Sequence, residues 1–293
     1  MQRIRTFAGI APATIMVVCF MLLPILIIVV YSFLEKNPYG GVRPELSFEA
    51  YSRLLLERDF DDNLSFNPSY LLILFRSIWV AAVSVAACVL IGFPVAYYIA
   101  MQPAERRNLL ILLITIPFWT NLLIRTYCWI LVLRDTGLIN EMLLSLGVIQ
   151  SPIPLLYTEG AIILGLIYTY VPFMVLPIYA SLERLDVRLI EASRDLYASR
   201  IGALRHVVVP LSLPGIVAGS ILVFIPCLGA FIAPELLGGG KNLMLGSLVQ
   251  LQFSTSRDWP FGSALSVVIM IVVMLALLFY ARNARNSGTE LVH

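Results

Sequence analysis

Five stretches of this chain, 6–34, 77–104, 160–182, 206–234 and 259–281, each run for at least 23 residues without one Asp, Glu, Lys or Arg. About 20 apolar residues suffice for a helix to cross the roughly 30 Å hydrocarbon core of a bilayer. No water reaches that core, so a spanning segment must close its backbone hydrogen bonds within itself, as a helix does. A sixth stretch, 108–124, is shorter, and Arg125 at its end can snorkel toward the interface. The stretch 142–158 is equally free of charge, but Gly147, Gln150, Ser151, Pro152 and Pro154 interrupt it and would strand backbone groups in lipid. It reads as a loop. The expectation is an all-α polytopic membrane protein, one domain over 1–293 with six transmembrane helices embedded in the lipid bilayer.

Composition agrees and removes other classes. Apolar residues make up 59% of the chain and charged residues 13%, with mean hydropathy +0.89. A soluble domain has about 45–50% and about 25%. A net charge of +2 provides no basic field for a nucleic acid. The two histidines, His206 and His293, belong to no His-Glu-x-x-His pattern, so no metal site is expected. Gly238-Gly239-Gly240-Lys241 resembles the end of a phosphate loop but has Asn242 where Ser or Thr is required, and Glu235 where the first Gly belongs. No Gly-x-Ser-x-Gly elbow occurs either. The chain therefore has no catalytic residues and no cofactor of its own, and uphill transport would need a nucleotide bound by another chain. Cys19, Cys88, Cys128 and Cys227 lie in or beside apolar stretches and read as small buried thiols.

Six spans place both termini on one side. With the N-terminus inside, segments 1–5, 101–108, 183–206 and 282–293 carry 11 Lys/Arg in 49 residues; the outer segments 35–76, 125–159 and 235–258 carry 9 in 101. Basic residues concentrate in cytoplasmic loops, so both termini are expected in the cytoplasm. The first apolar run exceeds a signal h-region of 7–15 residues and is followed by no clear cleavage site, so it reads as an uncleaved span.

The inner segment 183–206 has a helical pattern. Leu182, Leu185, Leu189, Ala192 and Leu196 recur at i+3 or i+4 as a narrow stripe among charged residues. Such a stripe suits a protein groove or the membrane surface. The wording distinguishes them. Glu191-Ala192-Ser193, three residues, Tyr197, nine residues, then Val207-Val208-Val209-Pro210 resembles the EAA motif of ABC-importer permeases: Glu-Ala-Ala, three residues, Gly, nine residues, Ile-x-Leu-Pro. Tyr197 is the departure, since Gly reaches positive φ without strain and Tyr does not. Either the turn is built differently, or the helix runs through it.

The resemblance implies a type I importer permease of the bacterial inner (cytoplasmic) membrane. Glu191, Ala192, Ser193, Leu196, Tyr197, Leu189 and Leu185 would form a coupling helix seated on a cytoplasmic ATPase dimer that binds ATP and Mg. A second homologous permease and an extracytoplasmic substrate-binding protein would complete the assembly. Three further stretches, Pro117-Phe118-Trp119-Thr120-Asn121 onward to Tyr127, Lys241-Asn242-Leu243, and Arg257-Asp258-Trp259-Pro260-Phe261-Gly262, resemble the first permease subunit of spermidine/putrescine ABC importers. Importers of other small solutes share much of this wording.

A polyamine needs carboxylates for its ammonium groups and aromatic faces for cation–π contact. Glu235, Trp119, Asn121, Tyr168 and Tyr170 are the candidate pathway residues; Glu235 closes a 29-residue uncharged run. An interfacial carboxylate and an aromatic belt would look the same. A self-sufficient secondary transporter would show charges deep within spans and inverted repeats. No acidic residue stands mid-span, and no repeat is evident. A membrane-embedded enzyme would show convergent His, Asp or Ser, and none is evident.

Overall fold

Apolar runs become long helices wherever no proline-rich or glycine-rich turn interrupts them. A computed structural model describes residues 2–58 and 64–289. Met1, residues 59–63 of the expected outer segment 35–76, and 290–293 at the end of the expected inner segment 282–293, including His293, lie outside the described residues. Among the described residues, five helices are long and apolar enough to cross a membrane: within α1 (Gln2–Tyr31), α3 (Ser69–Ala100), α7 (Glu159–Leu182), the helical run Arg200–Gly229, and α13 (Trp259–Thr289). The candidate for the expected sixth span is a bent pair. Helix α4 (Ala104–Trp119) meets the helical stretch Leu122–Ser145 at 88°. The expected span 108–124 takes in most of α4 and the first residues of α5 (Leu122–Leu133), with the bend between them. Pro117 lies one turn before that bend, and the Asn121 side chain accepts a hydrogen bond from Leu123 N at 2.8 Å, capping α5.

The chain divides into two groups. One comprises residues up to 72 with 248–275. Here β1 (Leu34–Lys36) pairs antiparallel with β2 (Val42–Leu46), and β3 (Leu56–Arg58) with β4 (Leu64–Phe66). A short helix, α2 (Glu49–Ser52), follows the first hairpin. Asp258 organises this group. Its carboxylate is 1% exposed, 3.0 Å from Lys36 Nζ and 2.8 Å from Arg53 Nη1, and accepts from Phe261 N at 3.2 Å. The Arg53 guanidinium lies 4.8 Å from the centre of the fully buried Phe261 ring. Burial would raise the Asp258 pKa, but the hydrogen bonds from Arg53 and Lys36 prevail and hold it below its ordinary 3.8.

The other group comprises 73–247 with 276–293, described to 289. Its centre is the packing of α7 on α10 (Val209–Gly229). Gly215 and Gly219, four residues apart, face α7. A Cβ on Gly215 would lie 2.5 Å from the Pro177 carbonyl oxygen, and one on Gly219 would lie 2.8 Å from Met174 Sδ. Small residues at this spacing let two helices approach closely inside a membrane. The loop after α6 (Leu138–Ser145) is pinned by buried Asn140, which donates to Arg134 O and Ile153 O and accepts from Ile153 N. Residues 146–158 thus satisfy backbone groups without a further long helix. Cys88 and Cys227 are buried as expected; Cys19 and Cys128 are not, because they fall on outward helix faces.

Candidate functional site

Segment 183–206, expected on the inner side, is built from capped pieces rather than one helix. Glu183 closes α7 and lies 3.4 Å from Arg107. Asp186 accepts from Arg188 N at 3.0 Å and so starts α8 (Val187–Asp195) only after Leu182 and Leu185 of the apolar pattern. Of the expected stripe, Leu182 is buried at the end of α7 and Leu185 is half-buried in the turn before α8. Leu189 is 49% exposed, Ala192 is exposed and Leu196 is 82% exposed. Among its described side chains α8 buries Ile190, which the stripe omitted. The stripe is therefore uncovered from Leu189 onward.

Tyr197 resolves the motif's departure. The helix does not run through it: Tyr197 takes φ +62°, the left-handed conformation that glycine would adopt. Tyr197 N donates to Arg194 O at 2.9 Å and Ala198 N to Ser193 O at 3.0 Å, the paired bonds of a Schellman turn. The turn is kept and the side chain strained. Its ring is 99% exposed. Tyr197→Gly should relieve the strain. A left-handed L-residue costs about 1–2 kcal/mol and glycine's extra chain entropy roughly 0.5–1. A net gain of about 0.5–1 kcal/mol should appear as slower hydrogen exchange at the Ala198 amide.

Beyond the turn, Ser199 accepts from Gly202 N at 3.0 Å and caps α9 (Arg200–Ala203). Then comes a π turn over Leu204–Val208, closed by Val209 N to Leu204 O. Its cause lies two residues on. Pro210 has no N–H to offer the His206 carbonyl, and its ring crowds that oxygen, so the turn widens. Ile201 is 77% exposed, so Leu189, Leu196, Tyr197 and Ile201 give this segment an uncovered apolar edge. Glu191 is exposed and forms no ion pair among the described residues, including with Arg194 one turn away. Ile201 was missed because it lies outside the helical stripe. The Asp186 and Ser199 caps were also missed, although Asp and Ser ahead of a helical run are the sequence signal for them.

The pathway candidates do not converge on one site. The Tyr170 hydroxyl donates to Pro226 O at 3.5 Å and lines a cavity of about 150 Å³ with Thr169, Gly229 and Phe231, where α10 ends and α11 (Ile232–Gly238) begins. Tyr168, two residues earlier, lines a different cavity with Trp129. Trp119 is 82% exposed at the end of α4, Asn121 caps α5, and Glu235 is exposed on α11. None of these three lines either cavity.

Residues 89–286 match the family described as "Binding-protein-dependent transport system inner membrane component". The chain is 42% identical over 276 residues to the "Spermidine/putrescine transport system permease protein PotB" of Escherichia coli strain K12, covering 94% of this chain and 96% of that one. The protein of the same name from Haemophilus influenzae is 38% identical over 274 residues, 93% and 92% of the two chains. A chain of the bacterial alginate ABC transporter, solved with an alginate pentasaccharide-bound periplasmic protein, superposes with TM-score 0.73 at 16% identity, over 97% of this chain and 95% of that one. The last likeness speaks to the fold alone.

Proposed function

We propose, on the premise that this chain belongs to the family of binding-protein-dependent transport system inner membrane components, that it is the permease subunit of an ATP-driven importer of spermidine and putrescine. The observation that carries the cargo is the near full-length similarity to permeases named for those two solutes. The chain is a multi-pass inner-membrane transport subunit. In the proposed assembly both termini and segment 183–206 face the cytoplasm. ATP and Mg bind a separate ATPase dimer, a second permease completes the passage, and an extracytoplasmic binding protein delivers the amine.

The uncovered edge of α8, with the exposed and unpaired Glu191 beside it, supports a docking role for this segment. Closure of the ATPase dimer would move the segment, and the spans would exchange inward-open and outward-open states. Glu191, Ala192, Ser193 and the apolar residues from Leu185 to Tyr197 are the proposed ATPase contacts. Glu235, Trp119, Asn121, Tyr168 and Tyr170 are proposed along the pathway, with Tyr170 at the cavity beside the end of α10.

Two measurements test this. Deleting the gene from a strain without another polyamine importer should abolish labelled spermidine and putrescine uptake, and restoring it should recover uptake. Unchanged uptake would move the cargo to another small solute. Glu191→Lys should lower ATPase copurification by about 30-fold or more, since mispairing a buried interfacial charge costs about 2–5 kcal/mol. Normal copurification and transport would remove the coupling role.

A further inference from the structure

A groove of about 390 Å³ runs between α4, α5 and α7, lined by Leu113, Ile114 and Pro117, by Trp129, and by α7 residues including Tyr168 and Val171. Apart from the Trp129 N–H and the Tyr168 hydroxyl, its side chains carry no polar group, so it has little to hold ordered water. One helical turn before Trp129 stands Arg125, with its guanidinium 5.9 Å from the centre of the Tyr168 ring. Trp129 meets the same ring edge-on at 5.6 Å. A cation and two aromatic rings therefore form one end of an apolar slot.

Arg125 has no counter-charge. Its side chain forms no ion pair and no hydrogen bond among the described residues, and its Nε is buried without an acceptor. Glu159, at the start of α7, is already taken by Arg76 at 3.3 Å. Tyr168 stands 15 residues along α7 from Glu183, about 22 Å at the rise of a helix. In a hydrocarbon core roughly 30 Å thick, that is the leaflet remote from the Arg107–Glu183 pair. An uncompensated arginine at such depth is costly unless an anion reaches it.

We propose that this groove is a binding site for an anionic phospholipid, one acyl chain lying in the slot and the headgroup phosphate meeting Arg125. The matching chemistry is one negative group carried on an apolar chain, against one unpaired cation at the end of an apolar slot. Trp129 and Tyr168 suit the zone where chain meets headgroup. The site is independent of the ATPase contact and shares with the proposed pathway only Tyr168.

The test uses the assembled transporter, purified into nanodiscs made from an equal mixture of phosphatidylglycerol and phosphatidylcholine. Lipids retained after detergent extraction are then identified by native mass spectrometry. Wild type should retain phosphatidylglycerol about fivefold over phosphatidylcholine, the factor expected for one basic residue near an anionic headgroup. Arg125→Gln should lose the preference and Arg125→Lys should keep much of it. Val171→Trp, which fills the slot and leaves the charge, should lose the bound lipid. Should Arg125→Gln fail to assemble, Arg125→Lys and Val171→Trp decide. Equal retention across wild type and variants would overturn the site. So would efficient cross-linking of Ile114→Cys to the second permease, which would show that a protein helix fills the groove.

Discussion

Gly215→Val should leave little assembled protein in the membrane. The added Cβ would sit 2.5 Å from the Pro177 carbonyl oxygen and 2.5 Å from Ser181 Oγ, and the first of these is backbone that cannot rotate away. Helices α7 and α10 would have to part along a contact that leaves no room for a side chain. Overpacking costs about 1–3 kcal/mol, and the upper end applies where the obstacle is main chain. Gly215→Ala should show a reduced form of the same loss, although alanine favours helix over glycine by about 1 kcal/mol. Gly229→Ala is the control, since a Cβ there meets nothing within 4 Å. Yield and thermal unfolding in detergent should rank wild type and Gly229→Ala together, Gly215→Ala lower and Gly215→Val last. Equal behaviour of the two alanine variants would disprove the close approach.

Asp258→Ala should be the second large loss. It removes the buried carboxylate that answers Lys36 and Arg53 and caps the Phe261 amide. Breaking a buried pair costs about 3–5 kcal/mol. Lys36 and Arg53 are 45% and 39% exposed and can partly return to water, which favours about 3. The pH dependence has a definite sign. The folded pKa of Asp258 is depressed, so its contribution is complete above the unfolded value near 3.8 and is lost as pH falls through the lower folded value. The stability gap between wild type and Asp258→Asn should therefore be constant from pH 5 to 8 and close below about pH 4. A gap that persists in acid would mean that packing, not charge, holds Asp258.

The spans were legible because a missing charge is a strong and local signal. The bend after α4 was harder to read. Pro117 and Asn121 are visible in the sequence, but whether a chain turns by 88° there depends on what α5 packs against. The inward-facing residue of α8 went unread for a related reason. Leu189 and Ile190 are adjacent and both apolar, and tertiary contact decided that Ile190 turns inward. Tyr197 was read as a question, and the answer lay in two backbone hydrogen bonds that no residue pattern encodes. The pathway candidates were chosen by residue type. Type does not determine convergence, and Tyr168 and Tyr170, two positions apart on one helix, open onto different cavities.

From Arg200 to Gly229 the chain never leaves helical hydrogen bonding, although it passes through the π turn and two interior prolines. Thirty residues of helix make a rod about 45 Å long, with one end at the uncovered edge beside Tyr197 and the other beside the Tyr170 cavity. If segment 183–206 docks as proposed, a rod of that length would carry a push at its foot toward its head without relay through side chains. The wide turn near the foot is where such a lever can twist without snapping. Pro214 and Pro226 are further places where such a rod could bend, and Gly229 is where the proposed stroke would end.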